Sequence, residues 1–181
     1  MKYLPIILIF FTQYLYAQRF TLGMRSSYVI PTYSTSYGRF YLIDDKRFVF
    51  GLVSSQKLNN KIYLHEEVLY EKIEAIFGSR TSTPSLKNKV PMLTIPIFIE
   101  YRTNKRFGFE AGIEYNHFSQ YNLNYNGSDN AYCFDALLGM RFTVNRFVAI
   151  DCRYLKQFYA QLWGKSHSLE VSLLAFLPLF F

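Results

Sequence analysis

Cysteine, glycine and proline are all scarce in this chain, and no apolar run after residue 17 is long enough to cross a bilayer as a helix. Residues 18–181 contain no heptads, low-complexity tracts or Pro/Gly-rich linkers, so nothing divides them into separate domains. No Gly-rich phosphate loop or nucleotide fingerprint occurs. His65, His117 and His167 are scattered, with no Cys or carboxylate at ligand spacing, so neither a metal nor another cofactor is expected. The two cysteines, Cys133 and Cys152, fall on opposite faces of the strands described below. Side chains so placed cannot meet in a disulfide, and both are expected to be unpaired.

The first 17 residues have the layout of a secretory signal peptide. Lys2 precedes a largely apolar run over 4–11, and Leu15-Tyr16-Ala17 offers an exit before Gln18. The expected division is therefore a signal over 1–17 and a mature domain over 18–181. The formal charge of +7 becomes +6 when Lys2 leaves. An exported basic chain meets anionic lipid first, which favours outer-membrane lipid and lipopolysaccharide as partners over nucleic acid.

The 16 Tyr and 18 Phe suit strands and membrane interfaces. Apolar and polar residues alternate with period two over 19–29, 47–57, 61–73, 92–102, 106–118, 132–144, 146–159 and 168–181, which predicts eight strands. The connections alternate in length as well. Those at 58–60, 103–105 and 145 are short, whereas 30–46, 78–91, 119–131 and 160–167 are longer. Tight periplasmic turns opposite longer external loops, with an even strand count, characterise transmembrane barrels. The predicted fold is all-β, an eight-stranded antiparallel transmembrane β-barrel of up-and-down meander type, located in the outer membrane.

Polar-face parity assigns a set of charges to the barrel interior: Arg25, Glu67, Glu100, Arg102, Glu110, Glu114, Asp135, Arg141, Asp151, Arg153 and Glu170. A soluble lipocalin-type barrel would turn these toward water, but the signal segment favours the inside-out arrangement. Eight strands leave an interior just wide enough for side chains to fill, so these charges are expected to pair with one another rather than line a narrow solute channel.

Three segments resemble an outer-membrane β-barrel domain family of Bacteroidota that includes PorT-like small barrels. Residues 61–70 are similar to that family's third strand, where an inward Glu precedes a Leu-rich stretch ending in Tyr. Residues 92–101, with Pro96 inside an apolar run, are similar to its fourth, and residues 107–115 with Ala111-Gly112 to its fifth. Glu66 stands where that family usually has an apolar residue or Pro, and the Lys-Gly that follows its third strand is missing. The resemblance implies a barrel in the outer membrane with a structural or interaction role, accessory to secretion, assembly or surface binding, with other envelope proteins as partners.

Two further features carry expectations. Leu179 and Phe181 end the last apolar stripe, and a final aromatic of this kind resembles the signal read by barrel-insertion machinery. His117 and Ser119 resemble the outward-facing His and Ser of lipid A deacylase barrels, where His serves as general base to the Ser nucleophile. Gln120 replaces the usual Asn there, and Asp129 is the only nearby acid in the sequence. Ordinary interfacial residues are the expected reading, so no enzyme is predicted and a lipid A-modifying hydrolase is the alternative. The Tyr-rich stretches 28–41 and 115–130 fit either an aromatic girdle or a surface for partners and glycans.

Overall fold

The computed structural model describes residues 20–34, 40–42, 47–77, 86–118, 131–160 and 166–177. The expected signal over 1–17, Ser119, Leu179, Phe181 and most of the Tyr-rich stretches lie outside the described residues. Among those described, every element is a β-strand: β1 (Phe20–Ser34), β2 (Phe40–Leu42), β3 (Arg47–Lys57), β4 (Ile62–Phe77), β5 (Leu86–Arg102), β6 (Phe107–Phe118), β7 (Ala131–Thr143), β8 (Val148–Ala160) and β9 (Ser166–Leu177). Eight of them are long. The three-residue β2 pairs with the far end of β4 and continues the line of β3.

All pairings are antiparallel, and β9 returns to β1 while β4 joins β5, so the sheet closes as a meander. The register gives the stagger of the closure. A line of paired residues starting at His167 passes through Lys156, Ala136, Ile113, Ile97, Glu66, Ser54 and Leu22. It re-enters β9 at Leu177, ten residues from its start. With strands about 4.8 Å apart and rising about 3.3 Å per residue, that stagger tilts them by roughly 40°. Ten residues at that tilt cover on the order of 25 Å along the barrel axis, the height of a lipid-facing apolar band.

Side-chain alternation follows the prediction. Met24, Leu52, Ile99, Phe109, Ile113, Leu138, Met140, Val171 and Leu173 are exposed on the outer face, while Arg25, Val53, Glu100, Glu110, Glu114, Arg141, Glu170 and Ser172 are buried inside. Cys133 is buried, Cys152 is exposed, and both are free.

The three short turns repeat one local device. Asn59 accepts hydrogen bonds from the backbone N–H groups of Lys61 and Ile62, Asn104 from those of Arg106 and Phe107, and Asn145 from those of Phe147 and Val148. An Asn side chain that captures the amides two and three residues on closes a tight turn locally, which is why these connections stay short.

The opposite end departs from the expected boundaries. β1 runs on to Ser34 and β5 begins at Leu86, both inside connections predicted as long loops, and β4 reaches Phe77, past its predicted end at 73. Backbone pairing such as Ile76↔Lys87 continues the hairpin after the apolar alternation has faded. Within β5, Pro96 has no N–H to donate, and the β4–β5 ladder is interrupted between the pairs Glu66↔Ile97 and Leu69↔Thr94.

Candidate functional site: the charged barrel interior

Three arginines occupy the centre of the barrel, each almost wholly buried. Arg25 on β1 grips Asp151 on β8 with both terminal nitrogens, Nη1 to Oδ2 at 3.0 Å and Nη2 to Oδ1 at 2.9 Å. It also reaches Glu67 Oε1 at 3.0 Å, Glu170 Oε1 at 3.2 Å and Ser27 Oγ at 2.8 Å, and it donates to the Ser172 hydroxyl. Arg153 on β8 forks onto Glu67, Nη1 to Oε2 at 3.1 Å and Nη2 to Oε1 at 2.9 Å, while its Nε donates to Glu110 Oε2 at 2.7 Å. Arg141 on β7 sits with Nη2 2.8 Å from Glu110 Oε1 and 3.3 Å from Asp151 Oδ2, and with Nη1 3.4 Å from Glu100. The planar guanidinium suits this work, because its fixed fork can serve two carboxylates at once.

Aromatic rings fill the remaining space. The Phe98 ring lies 4.1 Å from the Arg153 guanidinium and stacks on His65, centroids 4.8 Å apart and planes within 7°. His65 Nε2 lies 2.8 Å from Glu100 Oε2, and Arg102 binds the other oxygen of that carboxylate at 2.7 Å while covering the Tyr63 ring. Gly112 lies directly opposite Phe98. A Cβ there would stand 2.3 Å from both the Ile97 carbonyl and Phe98 Cβ, so this glycine makes room for the stack.

Nearer the long-loop end the composition changes. Glu114 lies directly opposite Asp135 across the β6–β7 ladder. Asn116 donates to Asp135 at 3.0 Å and accepts from Thr94 at 2.6 Å. Arg47 on β3 pairs with Glu71 on β4. The interior thus has a central tier in which carboxylates and guanidiniums alternate and an outer tier dominated by acids. Asp135 Oδ1 and Glu170 Oε2 are buried there without a hydrogen-bond partner.

The structure therefore brings Arg25, Glu67, Glu100, Arg102, Glu110, Arg141, Asp151, Arg153 and Glu170 into one connected network. Glu114 and Asp135 stand apart from those arginines, in the outer tier. Parity-based selection passed over His65, Glu71, Ser27 and Ser172, although each shares the parity of a chosen neighbour on its own strand. No group of described residues has the makings of a metal site.

His117 lies elsewhere, half-exposed on the outer face of β6 among Tyr115 and Tyr132. Its Nδ1 is 3.4 Å from the Tyr115 hydroxyl. Tyr132, Phe134, Phe158 and Tyr159 continue this aromatic cluster across β7 and β8.

No family model matches the chain, and no curated protein matches it in sequence. Solved structures do match in fold. The chain is similar to Ail, the attachment invasion locus protein of Yersinia pestis, with a TM-score of 0.50 at 15% identity over 87% of this chain and 95% of that one. It is similar to Neisserial surface protein A, with a TM-score of 0.52 at 13% identity over 86% of this chain and 96% of that one. It also matches Ail as an outer membrane protein in a phospholipid bilayer nanodisc, with a TM-score of 0.50 at 11% identity over 86% and 99% of the two chains. At these identities the likeness is one of fold, that of a closed eight-stranded outer-membrane β-barrel.

Proposed function

We propose that this protein is a small outer-membrane barrel whose role is structural or interaction-based, accessory to secretion, assembly or surface binding in the cell envelope. The observation that carries the reading is the interior. Arg25, Arg141 and Arg153 are locked between carboxylates from β4, β5, β6, β8 and β9, which leaves the centre of the barrel to paired side chains instead of a water column. A barrel filled in this way does its work at its rims, its loops and its lipid-facing wall.

The finer parts of the reading rest on sequence. The segments 61–70, 92–101 and 107–115 support kinship with PorT-like barrels of Bacteroidota, and the basic start and apolar run within residues 1–17 support export. No catalysis belongs to this reading. His117 has aromatic neighbours, and contact with outer-membrane lipid and lipopolysaccharide follows from the exposed apolar wall.

Affinity purification from outer membranes, with identification of what co-purifies, tests the role. A protein partner lost when the long loops are shortened supports it. Recovery of the barrel alone, under conditions that preserve known envelope complexes, contradicts it.

A further inference from the structure

Of the thirteen acidic residues in the chain, none falls in a short turn. The three turns and their flanking residues instead carry Lys57, Lys61, Arg102, Lys105, Arg106 and Arg146. Arg102 turns inward to Glu100. Lys61, Lys105, Arg106 and Arg146 are exposed, and among the described residues no carboxylate lies within ion-pair distance of them. The turns join β3 to β4, β5 to β6 and β7 to β8, so these cations recur around the rim of the barrel. The predicted long connections mix both signs, with Asp44, Asp45 and Asp129 beside Arg39, Lys46, Arg80, Lys87, Lys89 and Lys165, whereas the short turns carry cations alone.

We propose that this rim is a binding surface for the anionic headgroups of the phospholipids that surround the short-turn end. The proposal rests on the membrane-barrel reading above. Charge complementarity alone would also admit an acidic protein, but two observations favour lipid. The cations border the exposed, outward-facing Leu58, Tyr101, Phe107 and Val144, so they continue the wall that meets acyl chains. Furthermore, Lys61 lies back over the Tyr101 ring, its Nζ 6.0 Å from the centroid, and Arg146 covers the Phe147 ring at 4.5 Å. Interfacial aromatics mark the boundary between hydrocarbon and headgroups, and a long cationic side chain beside such a ring holds its charge at the level of lipid phosphates. A soluble partner would be met by charges projecting off the end of the barrel, whereas Lys61 lies back over Tyr101, an outward-facing residue of the wall.

The test uses the mature chain folded into phosphatidylcholine vesicles containing spin-labelled phosphatidylglycerol or spin-labelled phosphatidylcholine. Electron spin resonance reads the immobilised fraction of each label. Phosphatidylglycerol is expected to associate about threefold more strongly than phosphatidylcholine, with the preference weakened in high salt. The variant Lys61→Gln/Lys105→Gln/Arg106→Gln/Arg146→Gln should lose most of that preference. Equal association in the wild type, or a preference untouched by the substitutions, overturns the proposal. So does a bulk-like lipid shell accompanied by rim-dependent capture of an acidic protein. Heat-modifiable mobility and strand circular dichroism of the same samples report insertion separately. A chain that never inserts refutes the membrane reading itself, while one that inserts without lipid preference refutes only the proposal. Should the quadruple variant fail to fold, Arg146→Gln alone is expected to remove part of the preference.

Discussion

Arg25 and Asp151 meet in a two-pronged ion pair across the barrel wall, although β1 and β8 are separated by β9 and the residues by 126 positions. Removing either member strands the other in a buried site that keeps only part of its compensation. Arg25→Ala leaves Asp151, Glu67 and Glu170 short of a cation, and Asp151→Ala leaves Arg25, Arg141 and Arg153 short of an anion. Each change is expected to destabilise the barrel by about 3–5 kcal/mol. Urea unfolding in detergent micelles measures it, and a loss under about 1 kcal/mol contradicts the pairing.

Gly112 offers a packing test with no change of charge. Gly112→Val would drive its side chain into the Ile97 carbonyl and Phe98, and so displace the ring that stacks on His65 and Arg153. The expected cost is about 1–3 kcal/mol, with a lower thermal midpoint by circular dichroism. Gly112→Ala should show a smaller loss in the same direction.

The cysteines test the two faces. Cys133 is buried and Cys152 is exposed to the outside of the barrel. The folded protein should run identically with and without reductant, and a small thiol reagent in detergent should modify Cys152 well before Cys133. A mobility shift on reduction, or equal labelling, contradicts the assignment of faces.

Which residues face inward is legible from sequence, since Glu67, Glu100 and Arg153 each lie at odd steps from an apolar stripe. Which of them touch is not legible. The meeting of Arg25 with Glu67 and Asp151 depends on the ten-residue stagger of the closed sheet, a property of the whole ring and of no single strand. His65 and Glu71 share the parity of Glu67, and alternation alone places them inside; what alternation withholds is the partner each finds there. The long-loop ends of β1, β4 and β5 were hidden for another reason. In the sequence the alternation has faded at 30–34, 74–77 and 86–91, and period two cannot reveal a strand whose backbone pairing continues without it.

His117 separates an interfacial residue from a catalytic base. Its described neighbours are aromatic, and His117→Ala is expected to leave the acylation of lipid A unchanged when the protein is expressed in cells whose lipid A is read by mass spectrometry. Loss of an acyl chain that depends on both His117 and Ser119 would establish the hydrolase instead.

The central tier should also control passage through the barrel. Arg25→Ala/Arg153→Ala removes two of the side chains that fill its centre and is expected to raise ion flux above that of the unaltered protein, provided the variant still shows heat-modifiable mobility. Flux equal to wild type in a correctly folded variant would mean that other groups close the barrel.

The most direct test is the conductance of the unaltered protein in a planar bilayer. Because Arg25, Arg141 and Arg153 hold the interior closed through contacts with Glu67, Glu100, Glu110, Asp151 and Glu170, the trace should stay at baseline after verified insertion. Steady, ion-selective openings would contradict the filled barrel and make the protein a channel.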